Sequence, residues 1–89
     1  MIEQRAAPTA IEGLETRTVG HEVLVHDPVH KKIHVLNQTA AAVLAMCDGT
    51  RQPAKIAAAL AASTGAPAEL VRADVEKMVA VFRRLALVH

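Results

Sequence analysis

Apolar positions along the chain recur with two different periods, and the change falls near residue 37. Residues 14–19 alternate loosely and read as a short first strand. From His21 or Glu22 through His26 the alternation is clearer, with Val23 and Val25 on one face and Leu24 on the other. Asp27-Pro28 breaks that run, because proline has no N–H to give a ladder. Residues 32–36 form the next strand; Ile33 and Val35 share one face, and Lys32, His34 and Leu36 share the other. The two better strands are expected to pair as a hairpin.

Beyond Asn37, a capping residue, the period is helical. Residues 39–46 are short and nearly all apolar, so this helix is expected to be buried, and Gly49 suits a left-handed turn that ends it. Pro53 opens a second helix over 53–63, with Ile56, Ala59, Leu60 and Ser63 along one stripe. Thr64-Gly65-Ala66-Pro67 reads as a loop that leads into the longest helix, 68–85. Its expected buried stripe is Val71, Val75, Met78, Phe82 and Leu85. One flank then carries Leu70, Asp74, Lys77 and Val81, and the other carries Arg72, Val79 and Arg83. Leu87-Val88 is a last apolar tail. Two or three short N-terminal antiparallel strands followed by three helices make a small α+β domain of the winged helix-turn-helix kind. Residues 1–13 mix Glu3 and Arg5 with prolines and alanines and read as a flexible arm, which leaves 14–89 as the domain.

Composition sharpens this picture. In 89 residues there are 18 alanines and one aromatic, Phe82, so the core is thin and a partner that covers apolar surface would add stability. A net charge of +1 argues against strong non-specific nucleic-acid binding. One cysteine allows no intrachain disulfide and fits a reducing, cytoplasmic setting. The chain has no apolar run of about 18 residues for a membrane span, and its start lacks the apolar core of a signal peptide.

Candidate chemistry is sparse. His30 and His34 would lie about 13 Å apart on a strand, too far for one ion. His26 and His34 are expected about 7–8 Å apart, diagonally across the hairpin, with no carboxylate or cysteine next to them in sequence. Metal binding is therefore not assigned. Cys47 ends a buried helix without an identifiable base, and Glu69, Asp74 and Glu76 read as charged helix faces. The four glycines, at 13, 20, 49 and 65, are too scattered for a phosphate loop. No catalytic residue and no cofactor motif emerges. What remains is the strand 32–36. A strand at the edge of a small sheet is a template for an added strand, and Lys31 and Lys32 would either favour an acidic peptide or simply protect that edge from aggregation. The flank with Leu70, Asp74, Lys77 and Val81, beside Met78, is the preferred wall for such a peptide.

Two motifs carry a resemblance. Leu36-Asn37-Gln38-Thr39-Ala40 is followed by Asp48-Gly49 and by Ile56-Ala57-Ala58-Ala59-Leu60. The end of the chain has Asp74-Val75, then Met78-Val79 as an apolar pair, Phe82 at a leucine position and Ala86-Leu87-Val88 for a Gly-Leu-Val ending. Over roughly residues 23–88 the chain resembles the PqqD-like family of precursor-peptide chaperones, also called RiPP recognition elements. Ala86 for glycine, Leu44 for a frequent aromatic and Gln52 for a capping threonine depart from the family pattern; they touch packing and capping.

The resemblance implies a non-enzymatic domain. It would bind the leader of a ribosomally made precursor peptide as an extra strand and present it to a modifying enzyme, often a radical S-adenosylmethionine protein. The pathways include pyrroloquinoline quinone, lasso-peptide and related syntheses. The implied peptide-binding residues are Lys31, Lys32, Ile33, His34, Val35 and Leu36 on the strand, with Leu70, Asp74, Lys77, Met78 and Val81 on the helix. Two other readings compete. In a winged-helix DNA-binding regulator, Lys31, Lys32, Arg51 and Lys55 would touch phosphates, but the second helix offers solvent mainly alanine rather than base-reading side chains. In a plain interaction module, a homodimer would form through alanine-rich faces.

Overall fold

The alternation in the first third of the chain produces one antiparallel sheet of order β1-β2-β3: β1 is Glu15–Val19, β2 Glu22–Asp27 and β3 Lys32–Asn37. The computed structural model describes residues 7–89. Gly20, at φ 62, and His21 turn β1 into β2, so that Val19 pairs with Glu22. Residues 28–31 turn β2 into β3, which brings Leu24 opposite Val35 and Val25 opposite His34. The second turn is held by Asp27, a buried carboxylate. Its Oδ1 accepts the N–H groups of Val29 and His30 at 3.0 and 3.1 Å, and its Oδ2 lies 2.6 Å from the His30 ring. His26 pairs with Ile33, so His26 and His34 point to opposite faces of the sheet, not diagonally across one face as expected.

Three helices follow: α1 Gln38–Ala45, α2 Pro53–Thr64 and α3 Ala68–Arg84. Asn37 caps α1 through an Oδ1 that accepts the Ala40 N–H at 2.7 Å. Only Val43 and Leu44 of α1 are buried, so this helix lies on the core by one face and is not submerged. It ends at Met46 in an ordinary right-handed conformation; Gly49, at φ 86, instead redirects the chain toward α2. α2 closes at Gly65, φ 75, whose N–H bonds to the Ala61 carbonyl at 2.8 Å.

The core joins Val23 and Val25 of the sheet, Val43, Leu44 and Cys47, Ile56, Ala57 and Leu60 of α2, and Val75, Val79 and Phe82 of α3, with Leu87 and Val88 beyond. Two register details differ from the periodicity reading. On α2 it is Ala57, not Ala59 or Ser63, that is buried beside Ile56 and Leu60. On α3, Val79 is 1% exposed whereas Leu85 is 38% exposed, so the buried face is turned toward Val79. α2 packs along that side of α3 and claims it, a tertiary effect that the helical period does not contain. Leu36 is only half-buried, at the fringe of the core.

Residues 8–11, expected to belong to a flexible arm, are tied down. Gly49 N–H bonds to the Pro8 carbonyl at 3.0 Å, and Ala10 N–H to Cys47 at 2.7 Å. Ile11 N–H reaches the Leu87 carbonyl at 3.0 Å, and His89 N–H the Thr9 carbonyl at 2.9 Å. Residues 1–6 of that expected arm lie outside the described residues.

Candidate functional site

β3 pairs with β2 on one side only; no described strand adjoins its other side. Alternate N–H and C=O groups of residues 32–37 therefore point away from the sheet without a ladder partner. Ile33 and Val35 stand on the solvent face and are 65% and 56% exposed. His34 and Leu36 point to the helix side and are half-buried. His34 Nε2 is buried without a hydrogen-bond partner. Lys31 sits in the turn at φ 56, a left-handed conformation unusual for lysine, and both Lys31 and Lys32 are exposed.

α3 supplies the second half of the site. α2 covers the flank of α3 that carries Arg72, Val79 and Arg83: Pro53 shares a surface cleft with Val79 and Arg83, and Ala54 and Ala58 share one with Arg72. The opposite flank, with Leu70, Asp74, Lys77 and Val81, is left open. α1 touches both β3 and α3, whereas β3 and α3 have no substantial contact with each other. α1 thus spaces an unpaired strand edge from an unclaimed helix flank. Leu70 is 65% exposed on that flank, and Val81 and Leu85 are each 38% exposed.

Beside the N-terminal half of α3 lies an open cleft of about 410 Å³, where Asp74 and Met78 meet Gln38 and Thr39 of α1 and the last turn of α2. Of the sequence-predicted residues, the structure brings Asp74 and Met78 into one cleft and aligns 32–36 along one edge. Leu70, Lys77 and Val81 lie on the flank outside the cleft, and no strand residue touches its wall.

The ionisable groups with resolved shifts are elsewhere. At Asp27, burial pushes the pKa up, but hydrogen bonds from the His30 backbone and ring and from Val29 outweigh it, leaving the carboxyl below its ordinary range. Bonds from the Thr50 hydroxyl and N–H likewise lower Asp48, which also pairs with Arg51 at 3.2 Å. Burial pushes the Cys47 thiol up to about 11, so it stays protonated near neutral pH, bonded to the Val43 carbonyl at 3.2 Å. Among the described residues no three His, Cys, Asp or Glu side chains converge on a metal position. The strand edge and the helix flank together offer main-chain donors and acceptors, aliphatic side chains, the Asp74 carboxylate and three lysines, Lys31, Lys32 and Lys77. That set can hold an extended chain.

Sequence reasoning missed two features. Asp27 is one, although Asp-Pro at a strand end is a turn signal whose side chain commonly caps the following N–H groups. The other is an apolar cleft of about 530 Å³ between β1 and α1, lined by Leu14, Thr16, Val25, Leu44 and Cys47 among others. It has no local signature, because it forms where α1 stops short of β1.

The profile of the family Coenzyme PQQ synthesis protein D (PqqD) matches residues 22–88. The chain belongs to the PqqD family. Among solved structures, the PqqD truncation of Methylobacterium extorquens PqqCD is similar, with 23% identity and a TM-score of 0.76 over 92% of this chain and 87% of that one. That protein represents a functional and stand-alone recognition element for ribosomally synthesized and post-translationally modified peptides (a RiPP recognition element). TbiB1 in complex with the TbiA(β) leader peptide is similar at 12% identity, with a TM-score of 0.75 over 91% of this chain and 94% of that one. These likenesses establish the same arrangement of three antiparallel strands followed by three helices. No curated protein matches the sequence. None of the described helices of this PqqD-family chain is long and apolar enough to cross a membrane.

Proposed function

We propose that this PqqD-family domain is a non-catalytic chaperone that binds the leader of a ribosomally made precursor peptide and presents it to a modifying enzyme. The observation that carries the reading is the unpaired edge of β3 set across α1 from the open flank of α3. An extended leader adds to β3, so that main-chain hydrogen bonds supply affinity and side-chain contacts supply selectivity. Residues 31–36 form the strand side of the site: Lys31, Lys32, Ile33, His34, Val35 and Leu36. Leu70, Asp74, Lys77, Met78 and Val81 form the helix side. The family match and a leader-bound protein of the same fold support this reading. Modifying enzymes of this kind include radical S-adenosylmethionine proteins, and the pathway is pyrroloquinoline quinone, lasso-peptide or related synthesis.

The test is titration with a labelled candidate leader peptide. Val35→Pro removes a backbone N–H and fixes φ within the edge strand, and is expected to weaken binding at least about tenfold. Circular dichroism must show the variant folded. Amide shifts confined to residues 32–37 and the exposed flank of α3 are the expected footprint. A folded Val35→Pro protein with parental affinity, or a footprint that avoids β3, would remove the reading.

A further inference from the structure

The two free edges of the sheet are built differently on its solvent face. Outward residues of β1 are Glu15, Arg17 and, at its end, the exposed Val19, so two of the three are charged and resist pairing. Outward residues of β3 are Ile33 and Val35, more than half exposed, followed by Asn37. Val35 continues a cross-strand row from Leu24, and Ile33 continues one from His26. Exposed β-branched residues beyond the lysines of an unpaired edge cost solvation free energy unless an occupant covers them.

A strand added beside β3 cannot leave these residues alone. Its own outward side chains come to stand about 4.5–5.5 Å from Ile33 and Val35, as in any antiparallel pair. Its inward side chains face the helix side of the sheet, where α1 and the open flank of α3 lie. We infer that the peptide recognised here is aliphatic on both faces of its strand: two outward aliphatic residues, spaced i and i+2, extend the Leu24–Val35 and His26–Ile33 rows across the solvent face. This rests on the strand-addition reading and names the class of peptide it selects. The neighbouring Asp27–Lys32 and Glu22–Asn37 pairs place an acidic residue of the peptide beside Lys32, inward, and a polar one beside Asn37, outward. A leader that alternates aliphatic-in with polar-out, the usual pattern of a half-buried strand, is therefore the wrong ligand.

The experiment is selection from a displayed library of random decapeptides on the parent protein. The best peptide is then synthesised with a fluorescent label and titrated against the parent and against Ile33→Thr/Val35→Thr. Threonine keeps the β-branched shape, so the strand is retained, and circular dichroism checks it. The expected result is enrichment of peptides with aliphatic residues on both faces. Amide shifts should fall on residues 32–37, and affinity should drop about five- to tenfold in the double variant. The same drop is expected when the two outward residues of the peptide are changed to threonine.

Peptides that shift residues 32–37 but carry polar outward positions, or bind both proteins equally, would overturn the inference and leave strand addition standing. No enriched peptide, or shifts elsewhere on the surface, would remove strand addition and the inference together.

Discussion

Single residues decide whether so thin a core holds. Phe82 is the one aromatic in the chain and is 2% exposed among aliphatic neighbours. The surrounding valines and alanines have little reach with which to refill its space. Phe82→Ala is expected to cost about 3–5 kcal/mol, near the whole stability of a domain this small, as read from urea melts. A loss under about 1 kcal/mol would contradict the packing described. Asp27 is the second decisive residue. Its folded pKa lies below the ordinary 3.8, so folding favours the carboxylate. The resulting stability is full above the unfolded value and fades as pH falls through the folded value. Urea midpoints followed from about pH 6 to about pH 2.5 should therefore decline in the parent. Asp27→Asn should be less stable at neutral pH and should lose less on acidification, because the remaining acid dependence comes from other groups such as Asp48. Parallel acid profiles for the two proteins would show that the turn carries no such linkage.

At the scale of elements, the critical joint is the stretch between α1 and α2. Gly49 has φ 86, and a Cβ there would meet Thr9 Oγ1 at 2.7 Å. Gly49→Ala therefore carries both a left-handed backbone penalty and a clash with the bound N-terminal segment. The expected loss is about 1–3 kcal/mol by thermal melt. Adding Thr9→Ala should recover the clash but not the backbone part; full recovery would mean that the φ of residue 49 is easily changed. The same joint holds a segment whose composition reads as a flexible arm. Residues 8–11 are held by backbone groups of residues 47–49 and 87–89, and backbone hydrogen bonds leave no trace in side-chain pattern.

For the whole molecule, charge sets rates more than affinity. Net charge is +1, but Lys31 and Lys32 lie together at the start of the edge strand. Binding of an acidic leader should weaken modestly as salt rises from about 50 to about 300 mM. Lys31→Glu/Lys32→Glu should slow association more than it speeds dissociation, in stopped-flow anisotropy. A steep logarithmic salt slope with duplex DNA, and no saturable peptide binding, would instead favour a nucleic-acid role.

Alternation, helical period, Asn37, Pro53 and Pro67 specify the elements and their order, because they are local signals that each element must satisfy before it packs. They also mark 32–36 as a strand and Leu70 to Val81 as one helix flank, since both follow from period alone. Which side of each element the domain keeps for itself depends on packing between elements. α2 takes the Val79 side of α3, leaving the Leu70 side open, and β2 pairs with one edge of β3, leaving the other free. Burial depends on which neighbour arrives at a face. That is a property of contacts between segments distant in sequence, and no single segment encodes it.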